Sequence, residues 1–239
     1  MIVLAIDTCE ARGSIAVLKD KATLQTVPHT VTEEYSSWLL PAVDSALEFA
    51  EIPLGEVDLF AAASGPGSFT GVRIGLTTVK AWSEVFSKSI VAISRLEAVA
   101  AQSESTARYV ASFIDAQRDQ IFGALYDRTE GGLALVGQEM VAPPDVFVEW
   151  VDEQASGNQV GWISTDPDTL AKHPAWQPRA TRADKIQCVP CVLAPFIGKM
   201  AFQRAVNGNV LDALSVDANY VRRSYVEVFQ KGPARLPGK

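Results

Sequence analysis

One short pattern occurs twice in this chain, and that echo restricts the possible folds more than any other feature. Val3-Leu4-Ala5-Ile6-Asp7 leads through a polar turn into Ser14-Ile15-Ala16-Val17-Leu18, and Ala111-Ser112-Phe113-Ile114-Asp115 leads through another into Ile121-Phe122-Gly123-Ala124-Leu125-Tyr126. Each is an apolar strand closed by an aspartate and followed by a second apolar strand, as a hairpin requires. The match is short, so by itself it leaves a duplicated and an unduplicated chain both open.

Around the first copy the element order is legible. Residues 22–28 have strand composition and complete a three-stranded antiparallel start. In 33–50 the spacing turns helical, with Tyr35, Trp38, Leu39, Ala42, Val43, Ala46 and Phe49 at three- and four-residue intervals. That predicts a helix of about four or five turns, against the objection of Pro41, which removes a helical hydrogen bond. The apolar run 57–63 is closed by Ser64-Gly65-Pro66-Gly67, 68–86 is again helical, and 90–93 and 96–102 add a strand and a helix. The order β-β-β-α-β-α-β-α is that of an RNase-H-like half. The second half is less regular: Pro143-Pro144, Asp166-Pro167-Asp168, His173-Pro174 and Gln177-Pro178 interrupt it, and helix is next expected only at 192–206. The Gly-, Pro- and base-rich end, 231–239, reads as part of a flexible tail.

Composition excludes several classes. No apolar run approaches the roughly 20 residues of a membrane span, and the N-terminus lacks a basic region and meets Asp7, unlike a secretory signal. A cytoplasmic protein is expected. The net charge of −7 opposes direct binding to a polyphosphate backbone, so any contact with RNA would have to be local or made through a partner. Three cysteines, Cys9, Cys188 and Cys191, make no disulfide framework.

Gly65-Pro66-Gly67-Ser68-Phe69-Thr70-Gly71 stands between a strand and a helix, where backbone N–H groups and the helix dipole can hold an anion. It is no P-loop, lacking Gly-Lys-Ser/Thr, and no dinucleotide fingerprint, because Pro66 occupies the tight turn. The other reading, which we favour, is a structural turn with Ser68 as helix N-cap. Asp7 ends its strand where an ASKHA ATPase carries its metal-water aspartate. Here Thr8-Cys9-Glu10-Ala11-Arg12 follows, with no glycine before Gly13 and an acid where a triphosphate would lie; Asp115 is likewise followed by Ala116-Gln117-Arg118. Asp7, Thr8 and Asp115 therefore read as degenerate phosphate-loop positions, and no cofactor is expected on this chain alone. No metal is expected either, since His29 and His173 lack partners at ligand spacing and three cysteines cannot build a four-thiolate zinc site. Cys188-Val189-Pro190-Cys191 precedes a helix whose dipole could activate a thiol, but without a βαβ context an incidental pair is the simpler reading. In the helix 33–50, Leu40 and Leu47 widen the apolar coverage beyond one stripe. Either a partner or an unusually deep core position must cover the excess.

Ile6-Asp7-Thr8, then Ser36-Ser37-Trp38-Leu39-Leu40-Pro41, then Gly65 to Leu76 as Gly-Pro-Gly-Ser-Phe-Thr-Gly-Val-Arg-Ile-Gly-Leu together resemble the bacterial TsaB (YeaZ) family. Weaker agreement runs through Ser94-Arg95-Leu96-Glu97-Ala98, Ile114-Asp115-Ala116-Gln117-Arg118 and Tyr220-Val221-Arg222-Arg223, so that the resemblance covers about residues 1–225. It implies an α/β, duplicated RNase-H-like (ASKHA, actin-like ATPase) fold with a reduced second lobe. The domains would be 1–104, 105–225 with its last helix packing back on the first lobe, and a tail from 226 to 239. The implied role is a non-catalytic subunit for forming threonylcarbamoyladenosine beside the tRNA anticodon. It would dock on a TsaD-like catalytic paralogue, with a TsaE-like ATPase as a further candidate partner, self-association as a competing one, and ATP and a metal used through the partners. The resemblance assigns docking to helices 33–50 and 68–86, through Tyr35, Trp38, Leu39, Ala42, Val43, Ala46, Val72 and Val79, with Gly65, Pro66, Gly67, Ser68 and Gly71 as the structural turn. An outward Trp38 or Leu39 should then accept a charge without unfolding the chain. Relatives often read His-Ser-Glu where this chain has Tyr35-Ser36-Ser37, and the HxxxH metal motif of TsaD is absent. The alternative is an independent ASKHA-type ATPase or kinase.

Overall fold

The computed structural model describes residues 1–30 and 33–221; the expected tail lies outside the described residues. The first sheet contains β1 (Ile2–Asp7), β2 (Ser14–Lys19), β3 (Ala22–Pro28), β4 (Leu59–Ala63) and β5 (Ser89–Ile93), in the order β3-β2-β1-β4-β5. The second contains β6 (Tyr109–Asp115), β7 (Ile121–Thr129), β8 (Gly132–Ala142), β9 (Val160–Ser164) and β10 (Ile186–Cys188), in the order β8-β7-β6-β9-β10. Position for position the two orders are the same. In both, the first three strands are antiparallel and the last two run parallel to the first. The echo at the two aspartates is therefore the visible trace of a duplication.

Parallel neighbours need crossovers, which helices supply. In the first half these are α1 (Tyr35–Phe49) and α2 (Phe69–Phe86). α1 runs through exposed Pro41 and lies on β2 and β3, while α2 lies on β4 and β5. The third helix, α3 (Arg95–Ala100), leaves its own half and packs on β6, β7 and β9 of the second sheet. In the second half α4 (Pro144–Ala155) makes the first crossover, whereas α5 (Asp168–Ala171), α6 (Gln177–Thr181) and a short 3-10 turn replace a long counterpart of α2. The last helix, α7 (Ala194–Val206), packs back on β1, β2, β4 and β5. Each half thus contributes its third helix to the other half's sheet, and β1, covered on both faces, is buried almost throughout.

The second half holds more regular structure than its prolines suggest. Pro143-Pro144 reads as a break, yet Pro144 opens α4. A proline in the first turn gives up no helical hydrogen bond and brings a suitable φ. β8, β9 and β10 were likewise not expected from local pattern; their residues alternate less clearly, and pairing with β6 and β7 decides them.

Candidate functional site, the cleft between the lobes

A cleft of about 740 Å³ lies between the halves, lined by residues that follow both strand-end aspartates, among them Glu10, Arg12, Gln117 and Arg118. Both aspartates make the same local turn. Asp7 accepts the N–H of Cys9 at 2.9 Å and Asp115 that of Gln117 at 2.7 Å, each two residues on. Beyond that contact the halves diverge. Asp7 is 0% exposed, and its second oxygen accepts from Arg95 Nε at 3.1 Å. Arg95, 1% exposed, places Nη2 3.0 Å from Glu10. Burial would lower the pKa of this guanidinium, but the Asp7 and Glu10 carboxylates outweigh it and raise the value above its usual range. Outward from there, Arg12 Nη2 stands 3.7 Å from Glu10 and 2.6 Å from Asp166, which follows β9 in the second lobe.

Five alternating charges, Asp7, Arg95, Glu10, Arg12 and Asp166, therefore cross the cleft. A metal-water aspartate must present its charge to the ligand, whereas Asp7 is fully buried and its charge is matched by Arg95. The residues present do not fit a magnesium nucleotide. Sequence reasoning missed Arg95 and Asp166 as site residues. One signal was available: an arginine in the first turn of a helix opposes the helix dipole and calls for an anion.

In the Gly-Pro-Gly segment the expected N-cap is present and much of the turn is engaged by the main chain after β1. Ser68 caps α2, its Oγ accepting the Gly71 N–H at 3.3 Å, and its own N–H donates to Cys9 O at 2.6 Å. Thr8 donates its hydroxyl to Gly71 O at 2.7 Å. A Cβ on Gly67, Gly71 or Gly75 would stand 2.2 Å from Cys9 O, 2.0 Å from Thr8 O or 2.6 Å from Thr8 Oγ1. Gly71 and Gly75, four apart on one face of α2, and Gly67 in the turn just before it let the main chain after β1 press against this segment. Thr8 is a brace for that contact.

At the cleft's other wall the Arg73 guanidinium sits 3.8 Å from the Phe69 ring centroid and donates to Tyr220 Oη at 2.9 Å. Asn219 donates to Ser64 O at 2.8 Å through its backbone and to Glu139 Oε2 at 2.6 Å through its side chain. Glu139, on β8, also accepts from Tyr126 at 3.3 Å and from the Ser94 hydroxyl that caps α3.

The docking residues expected on α1 and α2 need correcting. Trp38, Leu39, Ala42, Val43, Ala46, Val72 and Val79 are buried in the chain's own core. Tyr35 is half-buried and accepts from Gly13 N at 2.8 Å, while its hydroxyl donates to Glu10 O. Most of the apolar arc of each helix is covered by the first sheet, although Phe49 on α1 and Val85 on α2 stay exposed; the opposite face offers Leu40, 54% exposed, with Pro41 and Asp44 on α1, and Thr70, Arg73, Thr77 and Ala81 on α2. Among the described residues no group of three His, Cys, Asp or Glu is placed to hold a metal, and no helix is long and apolar enough to cross a membrane.

The three thiols differ in reach. Cys9 is buried and donates to Ala63 O, Cys188 is exposed and Cys191 half-exposed. Burial above all, and the Asp7 charge beside it, push the Cys9 thiol well above its ordinary pKa. Thiolates are the reactive form. Mass spectrometry after brief alkylation at neutral pH should show Cys188 and Cys191 modified and Cys9 modified only after denaturation; fast native labelling of Cys9 would mean the cleft floor opens.

Two interlocked RNase-H-like halves around such a cleft define an actin-like (ASKHA) fold whose lead aspartate is ion-paired. The family model described as TsaD, tRNA N6-adenosine threonylcarbamoyltransferase, matches residues 16–158. The TsaB protein of Escherichia coli, described as a tRNA threonylcarbamoyladenosine biosynthesis protein, is 31% identical over 169 residues, 68% of this chain and 72% of that one. Its Bacillus subtilis counterpart is 30% identical over 154 residues, 64% of this chain and 65% of that one. YeaZ from Pseudomonas aeruginosa superposes with a TM-score of 0.69 at 25% identity, covering 92% of this chain and 99% of that one. The chain belongs to the TsaB (YeaZ) family. Its matches span about two thirds of the length of these two curated relatives.

Proposed function

We propose that this chain serves tRNA threonylcarbamoyladenosine formation as a non-catalytic subunit docked on a TsaD-like catalytic paralogue. The observation that supports the non-catalytic reading is the full burial of Asp7 and its ion pair with Arg95, which turn the lead carboxylate away from any ligand in the cleft. The pathway is supported by the descriptions of the TsaB relatives. ATP and a metal enter through the partners, a TsaE-like ATPase being one candidate, and the acidic chain meets tRNA through them.

For docking, α1 and α2 lie side by side, and of their exposed large apolar residues, Leu40, Phe49, Phe69 and Val85, Leu40 stands on the face opposite the sheet and is taken as the anchor. A charge there would be stranded in a closed interface at several kcal/mol. Leu40→Asp and Ala81→Arg should each weaken co-purification with the TsaD-like partner by roughly a hundredfold and abolish reconstituted threonylcarbamoylation. The melting temperature of the chain alone should stay near the parent value, because both positions already meet water. Intact association in both variants would place docking elsewhere. ATP turnover by the purified chain alone would favour the ATPase or kinase reading instead.

A further inference from the structure

We propose that the charge chain Asp7, Arg95, Glu10, Arg12 and Asp166 takes the place of a nucleotide as the link between the lobes: it bridges the cleft and sets the angle between the two sheets with no ligand required. Its inner end is anchored. Asp7 and Arg95 are fully buried, and Arg95 opens α3, the helix that the first half packs on the second sheet. Its outer end is a direct contact between lobes, Arg12 from the turn after β1 to Asp166 after β9, at 2.6 Å. Asp166 is pre-set for it, since its N–H donates to Ser164 Oγ and its second oxygen accepts from Thr165 Oγ1, both at 2.9 Å.

A second staple stands beside the first. Glu139 of the second sheet holds the Ser94 cap of α3 and, at 2.6 Å, Asn219. The arrangement also disfavours the ligand it replaces. Three acids and two bases leave the chain net negative, and a polyphosphate would have to displace Glu10 from Arg95. The outer pair is the adjustable part, because the Arg12 side chain is 47% exposed. A pair of that kind biases a two-state equilibrium by roughly two- to fivefold and is screened by salt.

The test measures the distance between lobes in the full chain. Spin labels are placed at Ser45→Cys on α1 and Glu149→Cys on α4, in a background of Cys188→Ser and Cys191→Ser with buried Cys9 retained. Distance distributions are recorded by pulsed electron resonance with and without magnesium-ATP. The parent should give one narrow distribution that magnesium-ATP leaves unchanged. Arg12→Ala and Asp166→Asn should each raise a longer-distance population by roughly two- to fivefold, whereas Lys172→Ala, whose partner Asp168 lies in the same lobe, should not. If either cleft variant fails to melt like the parent, the parent in ~1 M salt, where the Debye length is about 3 Å, decides: broadening supports the staple and an unchanged distribution overturns it. A shift of the parent with magnesium-ATP, unchanged distributions in both cleft variants, or equal opening in Lys172→Ala would each overturn the proposal.

Discussion

Replacing Arg95 with alanine is expected to cost about 3–5 kcal/mol of folding stability, read from urea unfolding of the purified chain. The reason is what the change leaves behind. Asp7 has no solvent exposure, so without the guanidinium its carboxylate must stay charged in a low-dielectric site or take up a proton. Folded domains hold only about 5–15 kcal/mol in total, so the variant should be near its limit at room temperature. Removing both charges is a different perturbation from removing one. Asp7→Asn combined with Arg95→Met keeps the side-chain volumes, strands no ion, and should recover a large part of the loss. Glu10, which is partly exposed, can turn to water in either case. A loss under ~1 kcal/mol in Arg95→Ala, the scale of an exposed pair, would mean that water reaches Asp7 and that the buried-pair account is wrong.

Leu39→Glu should unfold the chain outright. Leu39 is 2% exposed on the face of α1 that covers β2 and β3. The substitution forfeits about 1.5–3 kcal/mol of apolar burial and adds several more for a carboxylate with no partner, a sum comparable with the whole stability. Trp38→Glu should act in the same direction, since that ring is buried with its centroid 4.8 Å from His29 and 5.7 Å from Tyr35. Far-ultraviolet circular dichroism and gel filtration would show the loss directly. A Leu39→Glu protein that melts like the parent and loses only its partner would put the docking surface on the buried face of α1 after all. Set beside Leu40→Asp, one residue away and solvent-facing, the pair separates core from interface.

Much of the first half could be read from local pattern because its signals are periodic. The short apolar runs of β1 and β2, the 3.6-residue spacing of α1 and α2, and the punctuation at Gly65-Pro66-Gly67 are each carried by residues close together in the chain. The same reasoning missed α4, where prolines at the start of a helix look like those of a loop. It also misjudged which face of α1 is free. Periodicity reports that a helix has an apolar arc, and only the position of the sheet beneath it tells how much of that arc is already covered.

By itself, then, the sequence determined the twin hairpins, the helical crossovers of the first half and the family. It also showed the missing glycines after Asp7 and Asp115, because all of these depend on neighbours in the chain. Only the tertiary structure decided which charges meet. Arg95 is 88 residues from Asp7 and Asp166 is 154 from Arg12. They come together because α3 leaves its own half for the other sheet and so brings Arg95 to the end of β1. The glycines around the start of α2 have the same character: Gly71 and Gly75 share one helical face, but that Thr8 packs there, and Cys9 against Gly67 just before the helix, follows from the parallel pairing of β1 with β4, which sets the turn after one strand against the helix after the other. Such contacts carry no local period, since they are made by elements distant in sequence whose separation is fixed only when both sheets are packed.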